Sequence, residues 1–352
     1  MMNYKETLFF VGKCLTISHE EHNKIIVENQ LKSGNVNWDN VVKLSTEHYV
    51  FPALYCNLKR AKFLHYLPKE LVNYMEHITD LNRERNLQII EQAKEINELL
   101  LAHNITPIFL KGTGNLLEGL YEDIAERMVG DIDFLVAAEE LNNVNEILLK
   151  NNYSSTSLIL GAFRHLPGLT KEKKIARLEI HSGLTKGKYV TEFNYNQVKN
   201  ATFIYKKCKF LSYNDQLCLS IIAKHINDDG IYFKNIALRN AYDAFLLSKK
   251  TDTLKAVENF DLLFNPLTNF IALCNFTFGE INSLKFKASK ETEAILTFNA
   301  KALNSDSFRK KYIKKWTKYL SLKAKLNIIV KSIYKKEYRI WLFKRILNGR
   351  QN

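Results

Sequence analysis

Residues 130–136 read GDIDFLV. Ile132, Phe134, Leu135 and Val136 favour burial, and a short run of this kind reads as a strand. Asp131 and Asp133 lie two apart within it, so both point to one face of the sheet. Aspartate is depleted in strands, and an uncompensated buried carboxylate is costly. Whatever fold the chain adopts must therefore answer two parallel negative charges. Either the pair stands in water at a strand end, or a hard divalent cation such as Mg²⁺ holds it.

Two further segments bear on that choice. Upstream, FLKGTGN (109–115) places Gly112, Thr113 and Gly114 between a predicted strand (105–110) and a predicted helix. Glycine lets backbone approach a phosphate closely, and helix N-terminal amides favour anions. Thr113 adds a hydroxyl and Lys111 a cation. A plain strand-to-helix connection would look the same taken alone. Downstream, ARLEIHS (176–182) alternates, with Arg177, Glu179 and His181 on one face and Leu178 and Ile180 on the other. Glu179 is a third strand carboxylate. A pair on one strand and a single acid on its neighbour suit a two-metal site. A polar sheet face in water, with Glu179 paired to Arg177 or Lys174, is the competing reading.

The surrounding periodicity sets the fold class. Residues 1–104 space apolar positions at three and four, ending in a long pattern over 79–104 that Asn104 would cap. Residues 105–212 switch to short strands and helices: strands at 105–110, 131–137 and 174–182, a further strand near 157–165, one more in ATFIYKKCKFLS (201–212), and a helix over 138–153. Residues 213–300 return to helical spacing, and 301–352 form a basic, aromatic-rich helical tail. The expectation is an α+β protein: a small mixed β-sheet core at 105–212, flanked by helical regions at 1–104 and 213–300, with the tail appended.

The formal charge is +14, and it sits in one place. Residues 301–352 hold sixteen Lys/Arg against Asp306 and Glu337, while the first 300 residues hold 35 of each sign. Three partners fit such a tail: the protein's own body, an anionic membrane surface, or RNA. No stretch approaches the roughly 18 apolar residues of a membrane span, and the first residues have too short an apolar run for a signal peptide. The five cysteines are scattered without a CxxC pair and read as small buried hydrophobes in a reducing compartment. The expected location is cytoplasmic, with the tail a candidate for peripheral membrane contact.

In combination, FLKGTGNLLEGLY, Arg127, GDIDFLV and LEIH resemble the bacterial "uncharacterised nucleotidyltransferase" family, within the superfamily related to DNA polymerase beta. The likeness extends over roughly residues 35–250. It implies transfer of a nucleoside monophosphate from a nucleoside triphosphate to a hydroxyl on a small molecule, sugar or protein, with Mg²⁺ or Mn²⁺ as cofactor and pyrophosphate released. By position it makes Asp131 and Asp133 metal ligands, Glu179 the third catalytic carboxylate, and Gly112 and Thr113, with Lys111 and Gly114 beside them, the holders of the β/γ phosphates. The gap from Gly112 to Asp131 is longer than in minimal superfamily members. It contains EDIAERMV, which leaves the roles of Glu122, Asp123 and Arg127 open.

Arg127 is either a triphosphate contact or the salt-bridge partner of Asp123 or Glu126, one turn away. His181 either orients a carboxylate, touches substrate, or is structural; His165 and His225 are weaker candidates. Two alternatives to the leading function stand beside it. One is a toxin-like nucleotidyltransferase acting on tRNA, suggested by the basic tail. The other is a nucleotide-binding protein without catalysis.

Overall fold

A computed structural model describes residues 2–155 and 164–348. The strand expected near 157–165 falls largely outside the described residues.

The N-terminal region supplies five helices: α1 (Tyr4–Cys14), α2 (Glu21–Lys32), α3 (Trp38–Glu47), α4 (Phe51–Arg60) and the long α5 (Lys69–Leu101). Asn3 caps α1 through a reciprocal capping box with Glu6. Helix α5 stops where Asn104 turns left-handed, at φ +61°. The core follows with strand β1 (Ile108–Phe109), α6 (Lys111–Glu118), β2 (Asp131–Leu135), α7 (Leu141–Lys150), β3 (Arg177–His181), α8 (Tyr195–Val198), β4 (Thr202–Tyr205) and β5 (Cys208–Leu211). Then come α9 (Tyr213–Ile222), α10 (Gly230–Phe233), α11 (Leu238–Ser248), α12 (Thr253–Val257), α13 (Phe264–Phe278), α14 (Lys290–Asn304), α15 (Asp306–Tyr334) and α16 (Lys336–Asn348).

The five strands form one mixed sheet in the order β3-β2-β1-β5-β4. Strand β2 runs antiparallel to β1 and parallel to β3, and β5 runs parallel to β1. The protein is thus α+β, as its periodicity suggests. Two details differ from the sequence reading. Strand β1 is only two residues long, because Pro107 has no N–H to give a ladder. The segment 201–212 is two strands, not one. Lys206 and Lys207 both take positive φ (47° and 65°) and close a tight hairpin without the usual Asn or Gly.

One contiguous cluster of buried apolar side chains runs from Met2 to Ile295. Helices from the two ends of the chain meet within it. Phe9 of α1 packs edge-on against Phe276 of α13, and Asn23 donates to the Phe278 carbonyl at 2.8 Å. All five cysteines are buried and unpaired, consistent with a packing role. Among the described residues, no helix is long and apolar enough to cross a membrane.

Candidate active site

The sheet builds the acidic cluster by register. Parallel pairing sets Asp133 opposite Glu179, Asp131 opposite Arg177, and Leu135 opposite His181. Ile132, Phe134, Leu178 and Ile180 are fully buried on the other face and fix that register, since a one-residue slip would expose them all. Asp133, Glu179 and His181 each bring a donor atom to one place, all within 4.8 Å of one another.

Every charge in the cluster is answered. Lys111 Nζ donates to Asp133 Oδ1 at 2.6 Å, and His181 Nε2 lies 2.8 Å from the same oxygen. His181 Nε2 is also 3.7 Å from Glu179 Oε2. Arg177 donates to Glu179 Oε1 at 2.6 Å and lies 3.4 Å from Asp131 Oδ1. Burial alone would push the Asp133 carboxyl up, but the Lys111 charge and the His181 hydrogen bond outweigh it and hold it well below the usual carboxylate range. The nearby His181 imidazole lowers Glu179 against the opposing effects of burial and Asp133. Asp131 goes the other way: burial raises it, and the charges of Glu179 and Asp133 add to that.

The glycine segment is the first turn of α6 itself. Leu110 bonds to the Asp133 carbonyl, and Lys111 turns left-handed at φ +51°, which directs its amine onto Asp133. That conformation is uncommon for a residue with a Cβ, and strained positions of this kind concentrate at functional sites. The first helical hydrogen bond runs from Gly114 to Leu110, so the amides of Lys111, Gly112 and Thr113 precede it. Gly112 lines the cleft beside the acids. A Cβ there would meet Val129 at 2.9 Å and the Arg127 guanidinium carbon at 3.5 Å.

Thr113 and Gly114 are placed differently from expectation. The Thr113 hydroxyl is buried and donates to the Asp131 carbonyl at 2.7 Å, tying helix to strand. Gly114 lets α6 cross β1 closely, since a Cβ there would lie 2.9 Å from the Phe109 carbonyl oxygen. Neither lines the cleft.

Arg127 pairs with neither Asp123 nor Glu126. Its Nε is 3.0 Å from both carboxylate oxygens of Asp243 on α11, 116 residues away, and Tyr121 Oη donates to the same carboxylate at 2.7 Å. Asp123 is taken by Arg83 of α5, and Glu126 by Arg60 and Tyr242. Asn82 and Asn86, one turn apart on α5, hold the Arg127 carbonyl at 3.2 and 2.7 Å. The long segment between Gly112 and Asp131 is therefore a clamp between α5 and α11, with Arg127 at its end.

Together these parts line a cleft of about 220 Å³, in which Lys111, Arg127, Arg164, Lys224 and Arg239 face Asp131, Asp133, Glu179 and Asp228. Arg164, Lys224, Asp228 and Arg239 were not singled out from sequence. They come from a loop and from the helices after the sheet, with no local motif to mark them. Arg239 is the most telling. Its Nε is buried without a hydrogen-bond partner among the described residues, and burial and then the Arg127 charge lower its pKa. Two guanidiniums thus stand near the one carboxylate of Asp243, leaving positive charge for an anion.

Beyond Arg164 and His165 a second cleft of about 1390 Å³ opens, bounded by residues 182–190, residues 226–232 and α15. The His165 ring lies 5.0 Å from that of His181, at the junction of the two spaces. His225 is elsewhere: fully buried against Phe270, with its pKa pushed down by burial to about 4.

A short glycine turn opening a helix, an Asp-x-Asp strand and a third strand carboxylate in register beside it define a nucleotidyltransferase-type core. The chain belongs to the family described as "Uncharacterised nucleotidyltransferase", whose model matches residues 34–261. That membership supports a general role in nucleotidyl transfer. No curated protein and no solved structure matches the chain.

Proposed function

We propose that the protein is a divalent-metal-dependent nucleotidyltransferase that moves a nucleoside monophosphate from a nucleoside triphosphate to a hydroxyl acceptor. The observation that carries this reading is the register of β2 and β3, which sets Asp133 and Glu179 side by side with His181, next to Asp131. The donor set fits Mg²⁺ or Mn²⁺: carboxylate oxygens dominate, and one imidazole is close enough to join them. Asp131, Asp133 and Glu179 would hold the metal, which when bound supplies charge neutralisation at the phosphates and a more acidic acceptor hydroxyl.

The chain's own groups do the rest. The first-turn amides of α6 at Lys111 and Gly112, with Arg127, Lys224 and Arg239, bind the triphosphate from one side. Lys111 is within reach of both Asp133 and that anion, so it exchanges one negative partner for another as nucleotide enters. His181 keeps Asp133 oriented. The acceptor approaches through the larger cleft past His165. Its oxygen bonds to the α-phosphorus as the bond from that phosphorus to the bridging oxygen breaks, and pyrophosphate departs with the electron pair. Glu179 or Asp133 takes the hydroxyl proton; each has one oxygen engaged in the resting site, by Arg177 and by Lys111 with His181 respectively. Positioning and charge stabilisation carry most of the rate.

The test is transfer of α-labelled nucleotides to acceptors in a cell extract, comparing wild type with Asp131→Ala/Asp133→Ala. Label and pyrophosphate should appear only with wild type. Equal labelling in both would refute the assignment. Calorimetric binding of Mg²⁺ and nucleotide with no pyrophosphate from any acceptor pool would favour a binding protein instead.

A further inference from the structure

We propose that the outer face of the C-terminal hairpin, α15 with α16, docks on an anionic bilayer surface. Helix α15 has no buried residue. Its N-terminal half leans on the body through rings: Tyr312 against Phe298, and Trp316 and Tyr319 against Tyr232. Its C-terminal half carries Leu322, Leu326, Ile329, Val330 and Ile333, which are 50 to 73% exposed. At about 100° per residue these five fall on one face of the helix. Phe343 of α16 adds a further apolar side chain that is 66% exposed. The hairpin closes on a different face, through Tyr338 of α16 beside Lys331.

The character of the stripe selects its partner. Lys318 and Lys325 border it on one side and Lys323 on the other, all exposed. A second copy of the chain would bring lysine against lysine along such a seam, where a paired helix needs opposite charges. Single-stranded nucleic acid would satisfy the lysines, but it stacks on aromatic faces, and the five stripe positions of α15 are all aliphatic, with Tyr334 and Phe343 the exposed rings at its end. A bilayer with acidic headgroups satisfies both parts: aliphatic side chains enter the acyl boundary and lysines meet the headgroups. No described helix can span, so the hairpin would lie on the surface. The cleft-lining side of the same helix, with Leu320, Ala324, Asn327 and Lys331, is turned about a third of the way round from the stripe. A docked protein therefore keeps the mouth of the larger cleft near the headgroups.

The experiment is co-sedimentation of the full chain with vesicles of phosphatidylcholine alone, and of phosphatidylcholine with about one-third phosphatidylglycerol. No nucleotide is needed, so the result is independent of the proposed reaction. Wild type should partition at least about tenfold more strongly onto the anionic vesicles, with the preference falling in about 0.5 M salt. Ile329→Asp/Ile333→Asp should lose most binding by removing apolar insertion, and Lys318→Glu/Lys325→Glu should lose the anionic preference. These side chains are exposed, so thermal melts should match wild type and report that the variants fold. No pelleting of wild type, equal pelleting on neutral vesicles, or wild-type behaviour of both variants would overturn the proposal. So would a dimer in sedimentation velocity that the aspartate variant abolishes, or tight oligoribonucleotide binding by a wild type that does not pellet with lipid.

Discussion

Variants at the buried pair Arg127–Asp243 separate support of the fold from the proposed recognition of nucleotide. Both side chains are nearly solvent-free, at 7% and 2% exposure, and joined by two contacts of 3.0 Å. Changing Asp243→Leu strands a buried guanidinium, and breaking one side of such a pair typically destabilises by about 3–5 kcal/mol. Tyr121 also loses the acceptor of its hydroxyl, which adds about 1 kcal/mol. The expected result is a fall in Tm of about 5–10 °C for Asp243→Leu. The double variant Arg127→Met/Asp243→Leu removes both charges and should regain most of that loss, because replacing a buried pair by apolar groups of similar volume is often neutral. Nucleotide affinity should not return with the stability, since Arg127 lines the cleft. Denaturant titration gives the first quantity and calorimetry with Mg²⁺ and nucleoside triphosphate gives the second. If the double variant binds nucleotide like wild type, Arg127 is a structural strut and the triphosphate is held elsewhere. If the single variant melts like wild type, the pair is not the clamp described above.

Three further outcomes follow from other parts of the molecule. Burial pushes the Glu118 carboxyl up to about 7, with one oxygen held by Gln216 and the other unpartnered. A raised carboxyl pKa weakens the fold as pH climbs from the unfolded value of 4.5 through about 7. Glu118→Gln should therefore gain on wild type by about 3 kcal/mol between low pH and pH 8, measured by urea unfolding, and a pH-independent difference would refute this. Gly114→Ala should destabilise by about 1–3 kcal/mol despite alanine's better helix propensity, because its Cβ meets the Phe109 carbonyl; an unchanged melt would show that α6 can shift. Asp133→Asn should lower label transfer by at least about 100-fold and weaken Mn²⁺ binding seen by paramagnetic broadening, and retention of both would remove Asp133 from the metal site.

What the sequence disclosed was what a short period can disclose. The Asp131/Asp133 pair, the face shared by Arg177, Glu179 and His181, and the buried partners Ile132, Phe134, Leu178 and Ile180 follow from alternation alone. That Asp133, Glu179 and His181 meet at one point does not follow, because register between strands 46 residues apart depends on packing. The hairpin at Lys206–Lys207 was invisible because lysine is not a residue that announces positive φ. Arg127 misled for a related reason. Asp123 and Glu126 are its neighbours in sequence, whereas its partner lies 116 residues on, and helix spacing says nothing about which distant helix arrives. Arg239 and Arg164 carried no signal at all; a lone arginine in a helix or loop reads as surface until its surroundings are known.

The same contrast explains how the cleft is assembled. The carboxylates come from the sheet, where alternation fixes them rigidly. The cations come mostly from elsewhere: Arg127 from the clamp between α5 and α11, Lys224 and Arg239 from the helices after β5, Arg164 from a loop. A rigid acidic floor with basic walls on separate elements suits the triphosphate of the proposed reaction, which would compete with the carboxylates these cations now hold, Asp133 for Lys111, Asp243 for Arg127 and Asp228 for Lys224. Arg239 differs from the others: its guanidinium lies 5.1 Å over the Tyr49 ring, and its Nε has no hydrogen-bond partner among the described residues. A buried donor left without an acceptor weakens the resting fold, and under the proposed function the nucleotide's phosphates would supply the acceptor that Arg239 lacks.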